Sequence, residues 1–377
     1  MFDRIISFNN LLSAYYKARR HKRFQKPLQI FEFNLEKNLI NLQTNLATNQ
    51  YRPRKYHRFI TFEPKKRQIS APVFIDRILH HAIITVIEPI FENVFINHSF
   101  ACRKGKGTHF GMLQVSQVYH QIRQHHPRFY CLKCDIKSYF ASINHQILLR
   151  LLSKHISCPK TIKLLTTIIT SYHDTPGCGI PIGNLTSQLF ANIYLHPLDL
   201  YLTKTLKLKN YFRYMDDFLV ISPDKEYLLA LRRQINTFLT TNLKLTLHPK
   251  KNNIFRADRG LDFLGYLIKP HQTTIRKKTL RRYKKRHKKR LKKLKTLKHL
   301  LKNHNQPQQL SLFAPPQNLT DPDLSNQITA LQQKLRSSRN SFKGFLRYST
   351  HQRLSSGGVT INNITIPNIF PKKPNKP

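Results

Sequence analysis

Acidic residues are scarce in this chain. Its 377 residues hold 18 Asp and Glu against 65 Lys and Arg, a formal net charge of +47 with histidine neutral and a sequence pI near 10.5. Such a charge self-repels strongly in a compact monomer, so a polyanion that neutralises it is the natural partner. Nucleic acid is the first candidate and an anionic membrane surface the second. Long apolar runs are missing as well. None approaches the length of a membrane span, and residues Met1–Asn10 lack a secretory apolar core, so no membrane association is expected. Cysteine is sparse and odd in number. A chain of this length folds without staples, so Cys102, Cys131, Cys134, Cys158 and Cys178 point to a reducing cytoplasm and not to a disulfide framework. Cys131 and Cys134 form one CxxC, but no second pair follows at zinc-ligand spacing, and core packing is the expectation. The 19 His show no HExxH or paired-ligand spacing. No glycine fingerprint for dinucleotides accompanies the strands and helices, which excludes a Rossmann domain.

What is there is enough to fold: 40% hydrophobic residues, 24 of the chain's residues Phe, and room for two or three domains. Residues 1–50 read as a helical extension, with apolar positions at Leu11, Leu12, Tyr15, Leu35, Leu39, Leu42 and Leu46, broken by Tyr51-Arg52-Pro53. Strand-like pieces follow at 58–62 and 68–70, then a helix from Asp76 to about Phe95 and a strand over 129–136. Helices are expected over 147–153, 161–171 and 185–200, and a pair of short strands over 211–222. Beyond Leu267 the composition changes. No acidic residue occurs from Arg276 to Lys302, and Leu280, Leu291, Leu294, Leu297 and Leu301 recur at helical spacing. This reads as a basic helix with one apolar stripe on a body. Its cations Arg276, Lys277, Arg281, Lys284, Lys288, Lys292, Lys295 and Lys298 would face a phosphate backbone. A loop over 303–327, a last helix over 328–351 and a tail over 355–377 complete the reading.

Chemistry concentrates in two places. Tyr214-Met215-Asp216-Asp217 puts two carboxylates at the tip of an apolar hairpin, where they repel each other and where a divalent cation would neutralise them. Aspartate is common in turns, so this pair alone says little. Cys131-Leu132-Lys133-Cys134-Asp135-Ile136 is a second apolar strand ending in a carboxylate. Three carboxylates on adjacent strand ends could hold two magnesium ions roughly 3.5–4 Å apart, the arrangement that phosphoryl transfer uses. Magnesium takes hard oxygen ligands, and manganese is a possible substitute.

Here the chain resembles a known family. Asp135-Ile136-Lys137-Ser138-Tyr139-Phe140 followed by Tyr214-Met215-Asp216-Asp217 looks like the palm of reverse transcriptases. Gly179 to Leu195 between them resembles the substrate-proximal loop and helix, and Leu261-Asp262-Phe263-Leu264-Gly265-Tyr266 looks like the primer-grip strand. Ile182-Gly183 and Ser187-Gln188 stand where most bacterial reverse transcriptases carry Gln-Gly and Ser-Pro. That form resembles the enzymes of diversity-generating retroelements, a branch of the group II intron-like superfamily.

The resemblance implies an α+β right-hand polymerase. Fingers and palm would cover 51–267 and a basic helical thumb 268–354, with the extension 1–50 before them. It implies Asp135, Ile136, Asp216 and Asp217 at the metals. Lys65 and Arg67 would be on the triphosphate, and Phe140 under the sugar, selecting deoxynucleotides. Ile136, Ile182, Gly183, Ser187 and Gln188 would lie around the substrate, and Lys250 or Lys251 would protonate pyrophosphate. The implied partners are a template-repeat RNA, the cDNA/RNA hybrid, deoxynucleoside triphosphates and a small basic oligomeric accessory variability protein. The implied setting is the cytoplasm of a bacterial, archaeal or phage-infected cell. The product would be cDNA with errors at adenines that replaces part of a variable-protein gene. A group II intron or retron enzyme is the rival, against which stand the Ser-Gln form and the lack of an appended zinc-ligand region. A decayed RNA-binding scaffold is the other, against which stand the three carboxylates.

Overall fold

The computed structural model describes residues 1–20, 22, 26–62, 65–304 and 321–349, and the short strands within 353–367. Its helices are α1 (Phe2–Ile6), α2 (Phe8–Ala18), α3 (Lys26–Phe33), α4 (Leu35–Ala47), α5 (Phe74–Glu92), α6 (Thr108–His125), α7 (His145–Ser153), α8 (Pro159–Thr170), α9 (Leu185–Leu200), α10 (Lys225–Leu243), α11 (Lys277–His304) and α12 (Asp321–Arg347). Its strands are β1 (His57–Thr61), β2 (Arg67–Ala71), β3 (Tyr130–Asp135), β4 (Tyr211–Tyr214), β5 (Asp217–Ser222), β6 (Asn253–Arg256), β7 (Leu261–Phe263), β8 (Tyr266–Ile268), β9 (Thr273–Ile275), β10 (Arg353–Ser355), β11 (Gly358–Ile361) and β12 (Ile364–Pro367). The chain divides into two compact units, one of Met1–Gly111 with Arg128–Arg256, the other of Met112–Pro127 with Ala257–Pro377.

The first unit is built on an antiparallel sheet of order β4-β5-β3-β6. Central β3 buries Cys131, Leu132 and Cys134, and β5 buries Phe218 through Ile221, so the sheet is covered on both faces. Helix α9 is buried nearly all round, which its run Leu189, Phe190, Ala191, Ile193, Tyr194 and Leu195 requires. Helix α5 buries Ile78, Leu79, Ala82, Ile83, Ile87 and Phe91 in the same core. Leu11, Leu39, Leu42 and Leu46 of the N-terminal helices join it. The hairpin β1–β2 stands mostly exposed. As expected, Cys131 and Cys134 pack in the core, and burial pushes the Cys134 thiol up to about 12.

In the second unit β7, β8 and β9 form an antiparallel sheet. The leucine stripe of α11 does pack on a partner: Leu291, Leu294, Leu297 and Leu301 meet Leu324, Ile328, Leu331 and Leu335 of α12. Two expectations need correction. Leu261 to Tyr266 is not one strand, because Leu264 and Gly265 take left-handed φ values of 51° and 90° and turn the chain from β7 into β8. Helix α12 starts at Asp321 instead of Ile328. Its first turn reads as loop by composition, yet Leu324 extends the buried stripe Ile328, Leu331 and Leu335 one helical turn earlier. Residues 305–320 of the expected loop lie outside the described residues, as does the tail 355–377 apart from the antiparallel strands β10–β12.

Candidate active site

Sheet register brings the two carboxylate motifs together. β3 and β5 pair with Asp135 opposite Asp217, and β4 and β5 pair with Tyr214 opposite Asp217. Met215 and Asp216 make the turn between β4 and β5, with Met215 in the left-handed region at φ 59°. Burial raises Asp216, and the charge of Asp135 adds to the rise while Arg67 and Lys251 oppose it. Burial also pushes Asp217 up to about 6; Lys133 opposes this, and the charges of Asp135 and Asp216 add to it. Three carboxylates thus feel one another in a poorly solvated place.

Cations already stand on this cluster. Lys133 Nζ lies 3.6 Å from Asp217 Oδ2, and Lys251 Nζ lies 2.7 Å from Asp135 Oδ2. Among the described residues no three His, Cys, Asp or Glu side chains converge closely enough to close a metal site by themselves. Yet Asp217 Oδ1 is buried with no hydrogen-bond partner. A buried carboxylate oxygen left without a donor, beside two more carboxylates, fits a divalent cation. Asp135, Asp216 and Asp217 are the residues that would hold it. Ile136 is itself core, 1% exposed.

Lys251 reaches Asp135 because the chain after α10 runs beside the end of β3. Lys137 N–H donates to Thr246 O at 3.0 Å, Leu247 bridges Ile136, and His248 N–H donates to Asp135 O at 2.8 Å. The turn at His248 then aims Lys251 at the carboxylate and leaves Lys250 exposed.

Of the residues expected around the substrate, backbone bonds bring Phe140, Ile182 and Gly183 together. Phe140 sits half-buried on a tight turn, Tyr139–Ser142, edge-on to Tyr139 at 5.7 Å. Its carbonyl accepts from Ile180 N–H at 2.9 Å, and Ile143 O accepts from Gly179 N–H at 2.8 Å. Ile182 O accepts from Ser70 N–H of β2 at 2.9 Å. Backbone bonds therefore stitch β2, the loop and the turn after Asp135 into one wall. Gly183 has φ 143°, and a Cβ there would meet Ser70 O at 2.5 Å, so this close approach needs glycine. Ser187 is buried in α9, whereas Gln188 is exposed. Arg67 opens β2 near enough to bear on Asp216; Lys65 is exposed beyond it. On α11, Lys277, Arg281, Lys284, Lys288, Lys292, Lys295 and Lys298 are exposed. Arg276 instead pairs with Asp262 at 3.0 Å.

Sequence reasoning missed Arg213 and Asp199, a bidentate pair at 2.6 and 2.7 Å with both side chains 0% exposed. The signal was present: each is the one Asp, Glu, Lys or Arg of its element, α9 or β4, and both elements are largely buried.

The reverse transcriptase (RNA-dependent DNA polymerase) family matches residues 54–268, more than half the chain. The chain belongs to this family. Protein YkfC of Escherichia coli K12 is 26% identical over 269 residues, spanning 60% of this chain and 70% of that protein. The group II intron-encoded protein LtrA of Lactococcus lactis subsp. cremoris is 23% identical over 274 residues, 54% of this chain. The match spans only 45% of LtrA. A Candida tropicalis telomerase structure aligns over 62% of this chain and 59% of its own with a TM-score of 0.43 at 13% identity, too slight a likeness to carry an argument. The homology is thus to reverse transcriptases of group II intron-encoded type, and the fold is the α+β reverse transcriptase fold. No helix among the described residues is long and apolar enough to cross a membrane.

Proposed function

We propose that this chain extends a DNA 3′-hydroxyl on an RNA template, with Asp135, Asp216 and Asp217 as the metal ligands. The observation that carries the reading is the pairing of Asp135 with Asp217 at the adjoining ends of the two central strands, with Asp216 beside it in a turn. When bound, two magnesium ions there, or manganese in their place, supply activation of the attacking hydroxyl and stabilisation of the departing pyrophosphate. The chain's own groups do the rest. Phe140, on the turn stitched to Ile180, would stand under the sugar and exclude a 2′-hydroxyl. Arg67, with Lys65, would hold the triphosphate; a guanidinium suits that geometry. Lys251, on the carboxylate cluster, would protonate the leaving pyrophosphate. Residues 51–267 would act as fingers and palm, and 268–354 as a thumb whose basic helix follows the RNA or the cDNA hybrid.

Within the family, the diversity-generating retroelement type is the finer reading. It rests on Ile182-Gly183 and Ser187-Gln188. The template would be a template-repeat RNA, copied with errors at adenines for mutagenic retrohoming in a microbial or phage-infected cytoplasm. A small basic oligomeric accessory protein would assist. Two strongly basic proteins repel, so RNA should strengthen that complex. A group II intron role is the second reading, favoured by the match to LtrA.

Primer extension on an RNA template in magnesium tests the activity. Wild type should make cDNA, and Asp135→Ala or Asp216→Ala should abolish synthesis while RNA binding persists. Appreciable extension by either variant would refute the ligand assignment.

A further inference from the structure

Arg213 is fully buried two residues before the turn that carries Asp216, and its guanidinium meets groups from separate parts of the chain. Nε and Nη2 donate to the two carboxylate oxygens of Asp199 at 2.7 and 2.6 Å. Nη1 donates to Asn192 Oδ1 at 3.1 Å and to Met215 O at 3.2 Å. Tyr211 adds its hydroxyl to Asp199 Oδ1 at 2.7 Å. The backbone is tied as well: Arg213 N–H donates to His98 O at 2.9 Å, and Phe100 N–H donates to Arg213 O at 3.0 Å. Burial works against the guanidinium's charge, but Asp199 outweighs it and holds the group above its usual range.

One of these bonds does not serve the pair itself. Met215 has φ 59°, a conformation an L residue with a long side chain seldom adopts, and it directly precedes Asp216. A strained peptide persists where its surroundings over-determine it. The Met215 carbonyl is held by a guanidinium whose other donors are anchored on Asn192 and Asp199 of α9, the helix that starts with the substrate-side motif. The fork geometry matters, because an ammonium has three donors on one nitrogen and the guanidinium here serves four acceptor atoms, two on Asp199 and one each on Asn192 and Met215.

We propose that Arg213 is a positioning residue. Anchored by Asp199 and Asn192, it fixes the Met215 peptide and through it the placement of Asp216 and Asp217 beside Asp135. The assignment rests on reading those three aspartates as the ligands. It goes beyond that reading by making their alignment depend on a buried group that touches neither substrate nor metal.

The role separates from plain structural support because a buried ion pair can be replaced. Apolar residues of similar volume often leave such a site as stable as before, whereas removing one partner does not. The double variant Arg213→Met/Asp199→Leu keeps a filled core but no grip on Met215. Arg213→Lys keeps a charge opposite Asp199 but loses the fork. Five quantities are read for each: thermal midpoint, RNA affinity, nucleotide KM, single-turnover rate at saturating nucleotide, and terbium affinity from luminescence sensitised by nearby tyrosines. The expectation is a rate lower by about 10²-fold, the cost of a misplacement near 1 Å. Terbium binding should weaken, while RNA affinity and the nucleotide KM stay within about twofold of wild type, a margin of about 0.4 kcal/mol. Wild-type rate and terbium affinity in Arg213→Lys, or in a double variant that folds, would overturn the proposal. So would a rate loss in Arg213→Lys matched by equal losses in thermal midpoint and RNA binding. If the double variant does not fold, Arg213→Lys alone decides. Activity surviving in Asp216→Ala would sink the ligand assignment instead, so the two failures are distinguishable.

Discussion

Lys251 Nζ lies 2.7 Å from Asp135 Oδ2, while the side chain of Lys250 next to it is exposed. The sequence left the two lysines equivalent as donors to pyrophosphate. The bridge between Ile136 and Leu247 separates them, since it fixes where the following turn starts. Lys251→Ala should lower single-turnover incorporation by about 10²-fold or more, the usual scale of a positioned proton donor. Lys250→Ala should stay within a few-fold. Rapid-quench measurements on both variants check this, and a larger defect in Lys250→Ala would reverse the choice.

Gly183 invites a sharper test than its neighbours. Its φ of 143° and the 2.5 Å approach of a would-be Cβ to Ser70 O mean that alanine must push backbone against backbone. No rotamer change relieves that contact, so a cost on the order of 1–3 kcal/mol is expected. The damage should be local, parting β2 from the loop that carries Ile182. Gly183→Ala should therefore raise the nucleotide KM at least several-fold while RNA affinity holds. An unchanged KM would show that the hairpin can dock without this approach.

Much of this site was legible because its signals are local. Asp135 ends a stretch read as alternating and Asp217 opens a continuous run of strand formers, and both patterns can be read without any tertiary knowledge. Bounds of α9 and the leucine stripe of α11 followed from helical periodicity for the same reason. What stayed hidden depends on chain segments far apart in sequence. Arg213 gains its meaning from Asp199 and Asn192. The selection of Lys251 needs β3 and the segment after α10 side by side. Helices α6 and α10 were not assigned at all, being rich in polar residues that dilute their apolar stripe.

Acid should destabilise the first unit through His80. This ring is 4% exposed on α5 and shares a 3.0 Å hydrogen bond between Nδ1 and the Thr186 hydroxyl. Burial lowers its pKa to about 3. In the unfolded chain it titrates near 6.5, so below that pH the unfolded state takes up the proton first. Stability from this group is complete above about pH 6.5 and falls by about 1.4 kcal/mol per pH unit toward pH 3. Urea unfolding at pH 7.5 and 5.5 should show a smaller loss in His80→Gln than in wild type. Parallel losses would place the acid sensitivity elsewhere.

RNA binding should depend steeply on salt through the exposed face of α11. Packing of its leucines on α12 turns Lys284, Lys288, Lys292 and Lys295 outward. Each phosphate neutralised on a single strand contributes a slope of about −0.7 in the logarithmic salt plot. Replacing these four lysines with Gln should flatten the slope by about 2 to 3. If slope and affinity are unchanged, this helix does not lie on the nucleic acid.

Ile182 tests the retroelement reading. Its carbonyl is committed to Ser70 N–H at 2.9 Å, so its backbone is fixed and a substitution acts through the side chain alone. That side chain is half-buried and offers no donor or acceptor. A glutamine amide there could hydrogen-bond the incoming nucleotide and hold its sugar. A positioning bond of about 1 kcal/mol changes discrimination several-fold, enough to alter an error rate. Ile182→Gln should therefore lower misincorporation opposite template adenine and affect the other bases less. If Ile182 merely fills an apolar gap, the substitution should instead slow incorporation opposite all four bases alike. Sequencing cDNA made by both enzymes on one adenine-containing RNA separates these outcomes. An active variant with unchanged adenine errors would remove Ile182 from any account of infidelity, and the Ser187-Gln188 form would then be the remaining sequence support for the retroelement type over the intron type.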